Sequence, residues 1–290
     1  GRPVTLGIFS VLQEPGNWQN LLNMVETTNA AGGRMIAQVH SNTMYEYHTL
    51  KTDLPFDGLE PWQALKAMTP ERQVAAMADT DIRRRLIDAV KDMPQPPVYE
   101  QFMIVENIQG PDISVAEVAQ RSGKEPAEVI LAHLFGGQAD AFFRTPFANQ
   151  RSEDILGLMS HPDSVVTFSD SGAHVSQIAD FSLHTHFLSH WVRERGAFSL
   201  EEAVRRITSD IAAGWGLHDR GVLRVGKKAD VTIFDADNVA PLMPEVAMDL
   251  PLNGVRLRQG ATGIHATVVN GAVLIRDSEH TGALPGRVLK

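Results

Sequence analysis

The sequence predicts an α/β protein in which a parallel sheet is followed by a smaller all-β segment. Three observations carry that prediction. A strand, a helix and a second strand follow one another between Val4 and His40. The β-prone run Val165-Val166-Thr167-Phe168 leads into the polar turn Ser169-Asp170-Ser171-Gly172-Ala173-His174. From about Gly221 helical periodicity gives way to short strands with turns between them.

The elements can be justified in order. Val4 to Ser10 reads as a buried strand. Trp18, Leu21, Leu22 and Val25 fall at i, i+3, i+4 and i+7, which predicts a helix over Asn17 to Ala31, ended by Gly32-Gly33. Arg34 to His40 is the second strand. Such a βαβ unit implies parallel pairing and a right-handed crossover. From Ser41 to about Phe147 the pattern is mostly helical. Thr69-Pro70 opens a helix that runs through Arg83-Arg84-Arg85 to about Val90, with Thr69 as N-cap and Pro70 at the first helical position. Pro94-Gln95-Pro96-Pro97 breaks it, and Val98 to Val105 reads as a strand. Ser114-Val115-Ala116-Glu117 is a capping box, and Glu125 to Leu134 a further helix. This stretch is too long for a simple loop between strands, so it is read as an insertion over the mouth of a site. Beyond Asp170, Phe181 to Arg195 is helical, and Ser199-Leu200-Glu201-Glu202 caps a helix to about Thr208. In the tail, Asn270-Gly271 between two apolar runs predicts a type I′ hairpin. The predicted division is 1–220, with the helical insertion at about 41–160, and 221–290 as a small β segment.

Composition excludes several classes of function. The 290 residues carry 26 basic and 35 acidic side chains, a net charge of -9. That balance lacks the electrostatic term which dominates nucleic-acid affinity. No apolar run approaches the ~20 residues of a membrane-spanning helix. With no cysteine, disulfides and thiolate catalysis are excluded, and any metal needs His, Asp or Glu ligands. Nothing at the N-terminus resembles a signal peptide, and a cytoplasmic location is the expectation. The chain reads as beginning inside a fold.

Asp170 is the first candidate site residue. Parallel strands deliver functional groups at their C-terminal ends, which puts Asp170 where a metal ligand or general base would stand. The competing reading is an Asx-type turn in which the carboxylate bonds its own backbone. His184-Thr185-His186 imitates a metal-binding His-x-His, but the surrounding apolar spacing is helical, so the two rings diverge. His186 and His190 share a helix face, as solvated or packed pairs also do. Arg83, Arg84 and Arg85 suggest a carboxylate clamp, although three consecutive helical arginines point in several directions and a solvated face explains them as well.

Several pieces of the second half resemble the amidohydrolase superfamily, and within it the D-aminoacylase (N-acyl-D-amino-acid deacylase) group. They are Ser169 to His174, Ser199 to Val204, Leu217-His218-Asp219-Arg220-Gly221-Val222-Leu223, Gly226 to Asp235 and Val269-Asn270-Gly271, with the closing Thr281 to Arg287. The resemblance implies the C-terminal part of a metal-dependent hydrolase (β/α)8 barrel beside a β-sandwich segment. It implies hydrolysis of the amide of an N-acyl-D-amino acid by a metal-activated water. Asp170 then serves as metal ligand and as general base and acid, and the metal is a divalent ion, zinc by expectation. His40 and His174, with Asn42 and Tyr45, are the expected substrate contacts; a rim histidine bonded to a neighbouring loop, or a structural turn for His174, are the alternatives. The group's His-x-His is not seen, and Ile8-Phe9-Ser10 carries no His where many relatives have a ligand. Most ligands are therefore expected outside this chain. A missing N-terminal barrel half or self-association is expected to cover the exposed sheet edges. A cyclic amide substrate, as for hydantoinases, and a non-catalytic fragment needing a partner half are the other readings.

Overall fold

The computed structural model describes residues 2–137 and 140–289; Gly1 and Lys290, the outermost residues of the two predicted segments, lie outside the described residues. The chain opens with β1 (Val4–Gly7), α1 (Asn17–Ala30) and β2 (Met35–Val39). This is the predicted βαβ unit: β1 and β2 pair in parallel, Val4 opposite Met35 and Gly7 opposite Gln38. Helix α1 buries Leu22 and Val25 against the sheet. Its end is a Schellman motif. Gly32, at φ 87, donates to Asn29 O, and Gly33 donates to Thr28 O. A left-handed residue at that point favours glycine.

The insertion departs from the prediction. Its elements are β3 (Met44–His48), α2 (Glu60–Lys66), α3 (Pro70–Ala76), α4 (Thr80–Lys91), β4 (Met103–Val105), β5 (Ile113–Ser114), α5 (Val115–Ser122), α6 (Pro126–Leu134) and β6 (Phe142–Ala148). The region expected to be mostly helical thus also holds a four-stranded antiparallel sheet, ordered β3-β6-β4-β5. Pro146 disguises β6, because proline is rare inside a central strand. It is tolerated because β4 pairs only with Phe142, Phe143 and Arg144, so no β4 partner awaits the missing N–H. The single helix expected from Pro70 to Val90 is two helices. Asp79 interrupts it and accepts from the amides of Asp81 and Ile82, which makes it a second N-cap. The strand expected over Val98 to Val105 begins only at Met103, because Gln101 and Phe102 both donate to Val98 O in a turn. The N-cap bonds of Thr69, Ser114 and Ser199 form as expected, but the capping boxes expected at Ser114 and Ser199 are only half made, because the Glu117 and Glu202 carboxylates bond Arg121 and Arg206 instead.

Helix α7 (Ser152–Ser160) then leads into β7 (Ser164–Val166), which pairs in parallel with β2. The parallel sheet has the order β1-β2-β7. Ile8, Val25, Val39, Val166, Phe187 and Trp191 fill the core beside it, and a second core inside the insertion is built on Phe56, Trp62, Leu86, Phe102 and Phe143. The strand β7 ends two residues before the expected Phe168, because the amides of Thr167 and Phe168 both turn toward Val39 O. Helix α8 (Leu183–His186) continues through Phe187–Glu194 with widened turns, Arg195 donating to His190 O five residues back. Helices α9 (Leu200–Ile207) and α10 (Ser209–Gly214) follow.

The tail contains β8 (Val231–Phe234), β9 (Ala240–Leu250), β10 (Gly254–Thr262), β11 (Ile264–Val269), β12 (Ala272–Arg276) and β13 (Glu279–His280). The expected hairpin joins β11 to β12, with Asn270 at φ 47 and Gly271 at φ 82 as a type I′ turn requires. The long hairpin β9–β10 was not expected; Pro241 and Pro244 interrupt its pattern. Leu257 of β10 is fully buried beside Tyr47 and Phe142 of the insertion, and its amide donates to Val175 O at 2.8 Å. The tail therefore braces the turn that follows Asp170. The architecture is mixed helix and sheet, and no closed barrel is found among the described residues. No described helix is long and apolar enough to cross a membrane.

Gly7 fixes the relation between β1 and β7. A Cβ there would lie 2.5 Å from the Phe168 ring, two residues before Asp170. We expect Gly7→Ala to cost about 1–3 kcal/mol through overpacking, read as a lower urea midpoint with an unchanged slope.

Candidate active site at the strand ends

The C-terminal ends of β1, β2 and β7 converge on one region. Asn149, fully buried at the end of β6, ties two of them together. Its Oδ1 accepts from Ser10 N at 2.9 Å, its amide donates to Ser10 O at 2.8 Å, and its Nδ2 donates to Asn42 O at 3.3 Å. Thr43 Oγ1 donates to Asn149 O at 2.9 Å. Asn149 holds φ 56, a left-handed conformation that asparagine tolerates better than most residues.

Asp170 stands beyond β7, solvent-exposed, at φ 54. Its carbonyl accepts from Ala173 N at 3.1 Å, while Ser169 Oγ and Ser171 Oγ lie 3.0 Å apart beside it. The turn is thus closed by backbone and serine hydroxyls, and no hydrogen bond occupies the Asp170 carboxylate among the described residues. The Asx bond of the structural reading is not formed among the described residues.

His40 is 1% exposed at the end of β2, and its Nδ1 lies 3.0 Å from both the amide nitrogen and the carbonyl oxygen of Asn42. Asn42 uses Oδ1 to accept from Thr43 N at 2.8 Å. Tyr45 lies on β3, its ring 4.1 Å beneath the Arg144 guanidinium. His174 is exposed; its carbonyl accepts from Gln177 and Ile178, closing the turn behind Asp170. His40 and Asn42 are thus in contact with each other, Tyr45 packs on Arg144, and Asp170 and His174 belong to one turn.

The two histidines of His184-Thr185-His186 do diverge. His184 Nε2 bonds Val166 O at 2.8 Å, pinning α8 to β7. His186 turns to Ser41 and stacks on His190, ring centroids 5.1 Å apart at 24°. Stacked imidazoles do not aim their nitrogens at one point. Burial, together with the neighbouring His190 and His40 rings, pushes the His186 pKa down to about 3. An imidazole whose folded pKa lies below its unfolded value of about 6.5 leaves more protons on the unfolded chain between those pH values. Stability is thus whole above about pH 6.5 and falls as pH drops toward 3. We expect acid melting to begin in this window, and His186→Phe to flatten the slope there.

Arg84 and Arg85 pair with Asp81 and Glu60 on the exposed face of the insertion. Arg144 of β6, which sequence reasoning passed over, is nearly buried, paired with Asp112 and packed on the Tyr45 ring. It is a lone charge in the aromatic run Phe142-Phe143-Arg144, and that contrast was the available signal. Its charge also bears on His186. Asn149 left no sequence signal beyond its tolerance of positive φ.

Among the described residues no three His, Asp or Glu side chains converge as a metal site requires.

The sequence model of the amidohydrolase family matches residues 64–275. An N-acyl-D-aspartate deacylase of Alcaligenes xylosoxydans xylosoxydans is 37% identical over 141 residues, 47% of this chain and 26% of that protein. A D-aminoacylase of the same organism is 38% identical over 102 residues, 35% of this chain and 19% of that protein. In three dimensions the chain resembles a solved D-aminoacylase described as having a binuclear metal centre. The TM-score is 0.51 at 21% identity, covering 97% of this chain and 48% of the other. The chain thus spans about half the length of that solved relative, and its alignments cover smaller shares of the two deacylases. With a family match over most of its length, the chain belongs to the amidohydrolase family.

Proposed function

We propose that this chain forms the distal part of a metal-dependent hydrolase that cleaves the amide of N-acyl amino acids, of D configuration by similarity to its relatives. The observation that carries the reading is Asp170, an exposed carboxylate with no hydrogen bond among the described residues, in the turn that follows the third strand of the parallel sheet. In this reading β1, β2 and β7 are the last strands of a (β/α)8 barrel, residues 1–220 are its distal part, and 221–290 belong to a flanking β-sandwich. Residues outside these 290 complete the barrel and supply the other ligands of a divalent ion, zinc. Such an ion lowers the pKa of bound water from 15.7 to about 7. Asp170 would help to hold such an ion, and its carboxylate is suited to take up a proton and to return one to the amide nitrogen. His40, Asn42, Tyr45 and His174 line the substrate side, and the insertion covers it.

The test compares the protein of the complete open reading frame with the 290-residue chain, measuring bound metal and hydrolysis of N-acyl-D-amino acids. The reading expects metal and turnover in the complete protein and neither in the 290 residues alone. Turnover by the 290-residue chain with its own bound metal would overturn the ligand assignment.

A further inference from the structure

The turn that carries Asp170 is anchored at both ends. At its start the amides of Thr167 and Phe168 both donate to Val39 O. At its far end three separate parts of the chain hold consecutive residues. Leu257 N of β10 donates to Val175 O at 2.8 Å, and Tyr47 N of β3 donates to Gln177 O at 2.7 Å. Between them Ser176 Oγ donates to Asp53 Oδ2 at 2.9 Å. Just beyond, Ala179 is buried with Tyr47, Phe142 and Leu257. Backbone bonds carry this anchoring back toward Asp170. Gln177 N and Ile178 N donate to His174 O, and Ala173 N donates to Asp170 O.

Packing does not hold the turn itself. Gly172, Ala173 and His174 are exposed, and Asp170 is exposed at φ 54. An exposed segment with few apolar contacts opens at low free energy. A residue at positive φ keeps its place only where its surroundings dictate it. The order of this turn therefore rests on hydrogen bonds. Two of the far anchors use backbone amides, which almost any residue supplies. The third is made by two side chains, and a carboxylate acceptor makes such a bond stronger than a neutral pair. Its two ends lie 123 residues apart, Asp53 in the loop after β3 and Ser176 behind Asp170. We propose that Asp53 and Ser176 are positioning residues that hold the Asp170 carboxylate in the orientation its reaction requires. This inference rests on the reading of Asp170 as the acid–base group and adds to it the link through which the insertion bears on catalysis. Both residues act through Asp170 and not on the substrate. Misplacing a reacting group by about 1 Å costs up to about 10²-fold in rate.

The test uses the protein of the complete open reading frame with Ser176→Ala, Asp53→Ala and Asp53→Asn, and with Ser176→Ala in an Asp170→Asn background. Steady-state kinetics with an N-acyl-D-amino acid give kcat and KM, and hydrogen exchange of the peptide covering residues 169–178 reports on the turn. Ser176→Ala and Asp53→Ala are expected to lower kcat roughly 10- to 100-fold, with KM changed far less. They are also expected to speed exchange of the turn roughly tenfold, the worth of one hydrogen bond to a charged group. Asp53→Asn keeps an acceptor for the Ser176 hydroxyl and is expected to recover most of both. Ser176→Ala removes a single hydroxyl, so it carries the test even where Asp53→Ala destabilises the insertion. In the Asp170→Asn background Ser176→Ala is expected to lower kcat no further, because the group it positions is gone. With Asp170→Asn impaired, wild-type kcat in Ser176→Ala overturns the positioning role and leaves the deacylase reading standing. An equal further loss in the Asp170→Asn background also overturns it, since the effect then acts elsewhere. If the complete protein hydrolyses no N-acyl amino acid, the deacylase reading falls and exchange decides the link. A turn that exchanges no faster in Ser176→Ala then overturns it, and faster exchange confined to residues 169–178 upholds it.

Discussion

Replacing Asp170 by asparagine is expected to lower kcat/KM of the complete protein by about 10²–10⁴-fold, the usual contribution of a positioned acid–base group. The melting profile is expected to stay unchanged. Asparagine is the informative substitution because residue 170 sits at φ 54. Asn tolerates this region, whereas alanine there adds a backbone cost of roughly 1–2 kcal/mol that mixes folding with chemistry. The side chain is exposed and makes no hydrogen bond among the described residues, so its removal leaves no buried partner unsatisfied. Steady-state kinetics with an N-acyl-D-amino acid, beside a thermal melt of each protein, make the measurement. A variant with wild-type kcat/KM would remove Asp170 from the mechanism, and with it the observation on which the proposed function stands.

Asn149→Ala is expected to be the most destabilising single change at the site, at about 3–5 kcal/mol. The buried Ser10 N loses its partner, at about 1–3 kcal/mol, and the part-buried Asn42 O, which also lies 3.0 Å from His40 Nδ1, loses a second contact. The alanine must also hold the left-handed φ of 56. The loss is expected as a fall in urea midpoint. Asn149→Asp preserves the acceptor for Ser10 N and the tolerance of positive φ, and is expected to recover part of the stability. A melt of Asn149→Ala indistinguishable from wild type would show that the ends of β1 and β2 are held together by packing alone.

The sequence was informative wherever structure is local. The spacing of Trp18, Leu21, Leu22 and Val25 is enough to specify α1, because an amphipathic helix needs only its own stripe of apolar residues. Thr69, Ser114 and Ser199 announce helix starts because a cap bonds amides two or three residues away. Asn270-Gly271 declares a hairpin because a type I′ turn needs two positive φ values in succession. The turn that carries Asp170 was legible in the same way, from a β-prone run breaking into polar residues, although the strand itself stops at Val166.

What tertiary structure alone decided is everything that depends on partners distant in the chain. The sheet of the insertion joins β3 to β6 across about a hundred residues, and β6 shelters its Pro146 only because β4 stops short of it. Asn149 becomes a tie because folding brings Ser10 and Asn42 to it. Arg144 becomes a fixed cation because Asp112, thirty-two residues earlier, meets it inside the protein. The His184-Thr185-His186 pair separates because a helix turns the rings apart, one toward Val166 O and the other toward Ser41. Caps, stripes and turns are satisfied within a few residues, so the sequence by itself determines them. Buried polar groups take partners wherever the folded chain provides them, and which partner each one meets is settled only when distant segments come together.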